Sequence, residues 1–158
     1  MMKKAIRLVL FDIDGVLTDG KVYINEKGYE TKAYRLTEID AINQMISEGY
    51  QVGAITGEDT PIVAVFEKRV SWSYFSKGCK DKAAEVKKIC RDNGYSREEI
   101  CYIGDGKYDI SAIQYAGIGV CPQNAIPAAK EAADYVLNGS GGNDCINELY
   151  ELLKEMKR

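Results

Sequence analysis

The chain has 158 residues, 46% of them hydrophobic and 28% charged, with a formal net charge of -3. This composition is that of one globular unit, able to bury roughly 70% of the surface its unfolded chain exposes, and it excludes a disordered or fibrous protein. The acidic balance and the lack of a basic stripe argue against nucleic acid as a partner, so any phosphate handled here belongs to a small molecule.

Lys3 and Lys4 precede an apolar run that Arg7 and Asp12 interrupt, so no stretch has signal-peptide or membrane-spanning length. The expectation is a cytoplasmic protein with no membrane partner. Five cysteines at wide spacing form no Cys-x-x-Cys pair, which fits reduced and mostly buried thiols. Histidine is absent. That removes Ser-His, Cys-His and His-ligated metal chemistry and leaves Asp, Glu, Lys, Thr and a metal as the reactive groups.

Taken in order, the chain opens with a strand over about 6–11, whose apolar run Leu8-Val9-Leu10 predicts burial on both faces. Residues 21–34 alternate around Asn25-Glu26-Lys27-Gly28 and predict a two-stranded hairpin flap. A helix follows over about 37–48 and stops at Gly49, and 51–55 is a second buried strand. Next come a helix over about 60–69, a short aromatic strand over 73–75 with Trp72, Tyr74 and Phe75 as packing residues, and a charged helix over about 80–93. A strand over 100–103, a helix to Ala116, a strand over 118–120, a short helix near 125–133, a strand over 135–137 and a helix over about 143–156 complete the pattern.

Strands alternating with helices at this rhythm predict a single α/β unit over 1–158, a doubly wound, Rossmann-like parallel sheet with helices on both faces. In such sheets ligands bind at the carboxyl ends of the strands. The polar clusters fall there: Asp12 and Asp14 after the first strand, Thr56 with Gly57 and Glu58 after the second, Asp105 and Asp109 after the fourth. Asp12 and Asp14, two residues apart at one strand end, repel each other unless a positive group joins them. A hard divalent cation such as Mg²⁺ is the usual partner.

Taken singly, each acid is a turn residue, Thr56 a helix cap and Lys82 a solvated lysine. Together, Asp12-Ile13-Asp14-Gly15-Val16-Leu17-Thr18, Thr56, Lys82 and Gly104-Asp105-Gly106-Lys107-Tyr108-Asp109 resemble the four motifs of the haloacid dehalogenase superfamily of phosphatases, in order and over nearly the whole chain. The resemblance implies Asp12 as nucleophile, forming an aspartyl-phosphate, and Asp14 as general acid and then base. It implies Mg²⁺ held by Asp12, Asp105 and the backbone carbonyl of Asp14, with Asp109 supporting the metal shell. Thr56 would bind a phosphoryl oxygen, and Lys82 would offset its charge.

No insertion is long enough to be a cap domain. With Asp14-Gly15-Val16-Leu17-Thr18-Asp19-Gly20, this is similar to the capless branch that hydrolyses eight-carbon 3-deoxy-D-manno-octulosonate 8-phosphate and its nine-carbon relative. In that branch hairpins assemble a homotetramer and a neighbouring subunit covers each site. Two stretches depart from the branch, Thr37-Glu38-Ile39 and Gly141-Gly142-Asn143-Asp144. Glu58 stands where the eight-carbon enzymes typically have Arg and the nine-carbon enzymes resemble this chain in having Glu, which leans toward a nine-carbon substrate, with Glu58 meeting hydroxyls or pairing with a basic residue such as Lys68 or Arg69.

Two other classes use similar parts. A response-regulator receiver domain places its phospho-accepting Asp on the third strand, where this chain has Phe75-Ser76. A silent oligomerisation module would have no need of the complete set of reactive residues.

Overall fold

The computed structural model describes residues 4–158. Its main sheet has six strands in the order β5-β4-β1-β6-β7-β8, every neighbouring pair parallel. These are β1 (Leu8–Phe11), β4 (Gln51–Ile55), β5 (Tyr74–Ser76), β6 (Ile100–Ile103), β7 (Ile118–Cys121) and β8 (Tyr135–Val136). A separate two-stranded hairpin pairs β2 (Tyr23–Ile24) with β3 (Glu30–Thr31).

The all-apolar β1 is explained by its two faces. Successive side chains of a strand point to opposite sides, and here Val9 and Phe11 enter one buried cluster while Leu8 and Leu10 enter the other. β6 divides in the same way, Cys101 and Ile103 against Ile100 and Tyr102. On the first face lie α1 (Leu36–Ser47), α2 (Pro61–Arg69) and α6 (Cys145–Met156), contributing Ile42 and Met45, Phe66, and Leu149 and Leu153. On the second lie α3 (Lys82–Asn93), α4 (Ile110–Tyr115) and α5 (Pro127–Ala132), with Val86 and Ile89, Ile113, and Ala129. Truncating a buried Leu, Ile, Met or Phe among these to Ala costs about 2–5 kcal/mol.

The chain leaves β1 for β4 on one side and later returns to β6 on the other, so the carboxyl end of β1 is the point where the strand order reverses. The backbone ladder runs one rung past the strands there. Asp12 N–H donates to the Ile103 carbonyl (3.0 Å), and Thr56 N–H donates to that of Ser76 (2.8 Å). Both residues are therefore fixed by the sheet itself.

The hairpin differs most from expectation: the alternation over 21–34 yields strands of two residues each. Every residue from Asp19 to Thr31 is exposed, so no apolar surface lies beneath to extend the pairing. The two stretches that depart from the capless branch meet in space. Glu38, fully buried on α1, accepts from Ile146 N–H (2.8 Å) and Asn147 Nδ2 (2.8 Å) at the start of α6, and Arg35 donates to Asn143 (2.8 Å). All five cysteines are free thiols, with Cys79 half-buried and the other four buried. No helix among the described residues is long and apolar enough to cross a membrane.

Candidate active site

A cleft of about 240 Å³ opens at the carboxyl ends of β1, β4 and β6. Asp12, Asp14, Thr56, Gly57, Glu58, Lys82, Asp105 and Asp109 all line it, so every site residue expected from the sequence reaches one place. Cys79, Lys80, Gly106, Lys107 and Tyr108 line it as well.

At its inner end Asp12 is buried, and its Oδ1 accepts from Ile13 N–H (2.8 Å) and from Lys82 Nζ (2.9 Å). Lys82 is the first residue of α3, whose N-terminus Asp81 caps by accepting from Ala84 N–H (3.1 Å). The cap sets where the helix starts, and the start aims the lysine inward. The same ammonium donates to Asp109 Oδ1 (2.9 Å).

Asp109 ends a short 3-10 turn over Lys107–Asp109, and both its oxygens are fully used. Oδ1 also accepts from the Tyr102 hydroxyl (2.6 Å), while Oδ2 accepts from Asp105 N–H (3.0 Å) and Gly106 N–H (2.9 Å). It thereby shapes the loop that presents Asp105. Four donors hold its carboxylate, so Asp109 positions the Asp105 loop and Lys82, the geometry of a residue that supports a metal shell.

One carboxylate oxygen from each of Asp12, Asp105 and Asp109 lies within 4.8 Å of the others. Burial is the largest influence on all three. It raises the Asp12 carboxyl well above its usual range, helped by the Asp109 charge and opposed by Lys82, and it raises that of Asp105 too, where a hydrogen bond to Asp12 opposes it and the Asp109 charge adds to it. For Asp109, burial is outweighed by Lys82 and by the hydrogen bonds from Tyr102, Lys82 and Gly106, so its pKa falls. Burial likewise pulls the Lys82 ammonium down, but Asp12 and Asp109 more than offset it and its pKa rises. One lysine against three carboxylates leaves the cluster short of positive charge, and an all-oxygen donor set of this kind fits Mg²⁺.

Gly15 makes the close approach possible. It has φ +85°, and a Cβ there would collide with the Asp105 carboxylate. Asn124 holds the same loop from outside, donating to the Gly15 carbonyl (3.1 Å) and accepting from Gly141 N–H (2.7 Å).

At the mouth, Asp14 Oδ1 accepts from Lys32 Nζ of the hairpin (2.8 Å). Thr56 is buried, its Oγ1 accepting from Glu58 N–H (3.2 Å), and the α2 N-cap is Thr60, so Thr56 is no helix cap. Glu58 makes no ion pair among the described residues. Lys68 does not reach it, and Arg69 lies over the Tyr34 ring instead (5.6 Å), which corrects the expected pairing: Arg69 ends α2 whereas Glu58 precedes its start, so the helix carries them apart. Lys80 closes this side by donating to the Gly57 carbonyl (3.0 Å).

Tyr102, Lys32 and Lys80 were not legible as site residues. For Tyr102 a signal existed, because a tyrosine in a strand buried on both faces needs a partner for its hydroxyl.

A doubly wound sheet that gathers carboxylates, a buried lysine and a threonine at its switch point is the arrangement of a metal-assisted phosphoryl-transfer site. Residues 58–144 match the profile of the haloacid dehalogenase-like hydrolases, and the chain belongs to that family. It is 28% identical over 155 residues to the 3-deoxy-D-manno-octulosonate 8-phosphate phosphatase of Escherichia coli (strain B / BL21-DE3), covering 97% of this chain and 82% of the relative. Its fold matches a crystal structure of the Moraxella catarrhalis 3-deoxy-D-manno-octulosonate 8-phosphate phosphatase in complex with a magnesium ion, a phosphate ion and a KDO molecule, with a TM-score of 0.90 and 29% identity over 95% of this chain and 86% of that one. A probable YrbI family phosphatase from Pseudomonas syringae pv. phaseolica 1448a matches with a TM-score of 0.91 and 31% identity over 97% and 87%.

Proposed function

We propose that this hydrolase acts on a 2-keto-3-deoxy sugar-acid phosphate, with Asp12 as nucleophile and Asp14 as general acid and base. The observation that carries the chemistry is the hold on Asp12: buried at the cleft floor, with Ile13 N–H and Lys82 on one oxygen, it has one orientation toward the cleft. An Asp12 oxygen attacks phosphorus as the ester P–O bond breaks, and the departing alkoxide takes a proton from Asp14. Asp14, now a carboxylate, takes a proton from water as that water attacks the phosphorus of the aspartyl-phosphate, releasing inorganic phosphate and Asp12. Thr56 donates to a phosphoryl oxygen, and Lys82 offsets charge that develops there. Asp12, Asp105 and the Asp14 carbonyl would hold Mg²⁺, which supplies charge stabilisation to the phosphoryl oxygens.

The eight-carbon 8-phosphate is the first substrate to test, because the relatives of known name carry it in theirs. Glu58, exposed on the cleft wall, carries the nine-carbon 9-phosphate as a second reading, because the nine-carbon enzymes resemble this chain in having Glu there and a carboxylate at that place suits substrate hydroxyls. Measuring kcat/KM for both with Mg²⁺, in the parent and in Glu58→Ala, tests it. A clear eight-carbon preference that Glu58→Ala leaves unchanged would show that Glu58 reads nothing, and release of phosphate from neither would sink the sugar-acid reading. The same reading includes a cytoplasmic homotetramer whose hairpins cover neighbouring sites; it is supported by Ile24 and Tyr29, 65% and 69% exposed on the hairpin. Light scattering that finds a fully active monomer would remove that part.

A further inference from the structure

The hairpin carries one side chain that behaves unlike its neighbours. Asp19 to Thr31 are all exposed, yet the Lys32 side chain is only 5% exposed, and its ammonium sits 2.8 Å from Asp14 Oδ1. A buried ammonium is costly unless paired, and Asp14 is the carboxylate it meets. The chain around this pair is anchored on both sides. Tyr34, two residues on, bridges to Thr18, and its ring packs edge-on against Phe66 (5.6 Å between centroids). Thr18 Oγ1 accepts from Gly15 N–H (3.3 Å) and Gly20 N–H (3.2 Å), closing the loop that bears Asp14.

We infer that Lys32 is a positioning residue for the general acid: by holding Asp14 Oδ1 it presents Oδ2 to the leaving-group oxygen, and it ties the seating of the hairpin to catalysis. The inference rests on the proposed role of Asp14. The proton passes from Asp14 Oδ2 to the leaving oxygen as the P–O bond breaks, and the bonding pair stays with that oxygen. Asp14 is left as a carboxylate beside the fixed positive charge of Lys32, which stabilises it where it forms. A lysine that only stitched the hairpin to the loop would affect every substrate alike.

That difference is the test. Lys32→Met, Lys32→Arg, Asp14→Asn and the Lys32→Met/Asp14→Asn double variant are compared with the parent in the first turnover at saturating Mg²⁺. One substrate is p-nitrophenyl phosphate, whose leaving group departs without needing a proton. The other is an alkyl ester, 3-deoxy-D-manno-octulosonate 8-phosphate, whose alkoxide needs one. Lys32→Met is expected to slow the alkyl ester by about tenfold or more and p-nitrophenyl phosphate by about twofold or less, with KM for both little changed. Lys32→Arg should recover most of the loss, and the double variant should be no slower than Asp14→Asn alone. Equal losses on both substrates, no loss on either, or additive losses in the double variant would overturn the inference. Failure of the parent on both esters would instead overturn the function proposed above. Far-UV circular dichroism of each variant identifies any loss that comes from unfolding, and Lys32→Arg then carries the comparison.

Discussion

Asp12 and Asp14 lie two residues apart on one loop and occupy opposite environments. Asp12 is buried among carboxylates and tied to Lys82, a residue fixed by the start of a core helix. Asp14 has a side chain 29% exposed and is tied to Lys32, on a hairpin with almost no core of its own. On the roles proposed above, the difference separates two tasks. A nucleophile gains from one rigid orientation and a dry, charge-strained setting that a cation relieves, whereas an acid and base must reach leaving group and water in turn.

The largest expected effect comes from breaking the inner half. Asp12→Asn should lower turnover by at least about 10⁴-fold, because a carboxamide of the same shape is a poor nucleophile. It should also leave the metal-free melting temperature equal or higher, since it removes an acid that crowds Asp105 and Asp109. Turnover within about tenfold of the parent, or clear destabilisation, would contradict this account of Asp12.

A smaller effect sharpens the same contrast through pH. The folded-state pKa values of Asp12 and Asp105 lie above 3.8, so the folded protein holds more protons than the unfolded chain in the window above that value. Their contribution therefore falls as pH rises through this window. Asp109, with its pKa lowered, contributes stability above 3.8 that is lost as pH falls through its folded pKa. Mg²⁺ favours the ionised forms, so the gap in melting temperature between Mg²⁺-loaded and chelated protein should widen as pH rises from about 4 to about 8. A gap independent of pH would mean that these carboxylates do not hold the ion.

The smallest effect on the isolated fold is expected in the outer half. Ile24→Ser removes apolar surface that is mostly exposed, so the melting temperature measured at low protein concentration should change little. If hairpins assemble the protein, the mass measured by light scattering should fall and activity with it. An unchanged mass would show that this hairpin face is not the contact.

Most of the inner half was legible because each of its parts has a local cause. Apolar runs at Leu8–Phe11, residues 52–55 and Ile100–Ile103 have to be buried, and a parallel sheet then brings their ends together. Asp12, Thr56 and Asp105 follow from that placement. Lys82 was legible only through its resemblance to the third family motif, since a lysine in a helix's first turn otherwise reads as solvated. The outer half was poorly legible. The alternation over 21–34 suggested longer strands than form, and Glu58 lacks the partners expected for it, because long polar side chains at a surface choose partners by geometry that no local pattern encodes.

The sequence alone determined the doubly wound sheet, the strand ends that carry the reactive residues and the carboxylate chemistry they share, since hydrophobic periodicity and residue type act over a few neighbours at a time. Only the tertiary structure decided that Tyr102 and Lys82 converge on one oxygen of Asp109, and that Lys32, 18 residues from Asp14 along the chain, closes on its carboxylate. The physical reason is range: a hydrogen bond forms over about 3 Å, and which groups come that close across a loop is set by the packing of the whole fold.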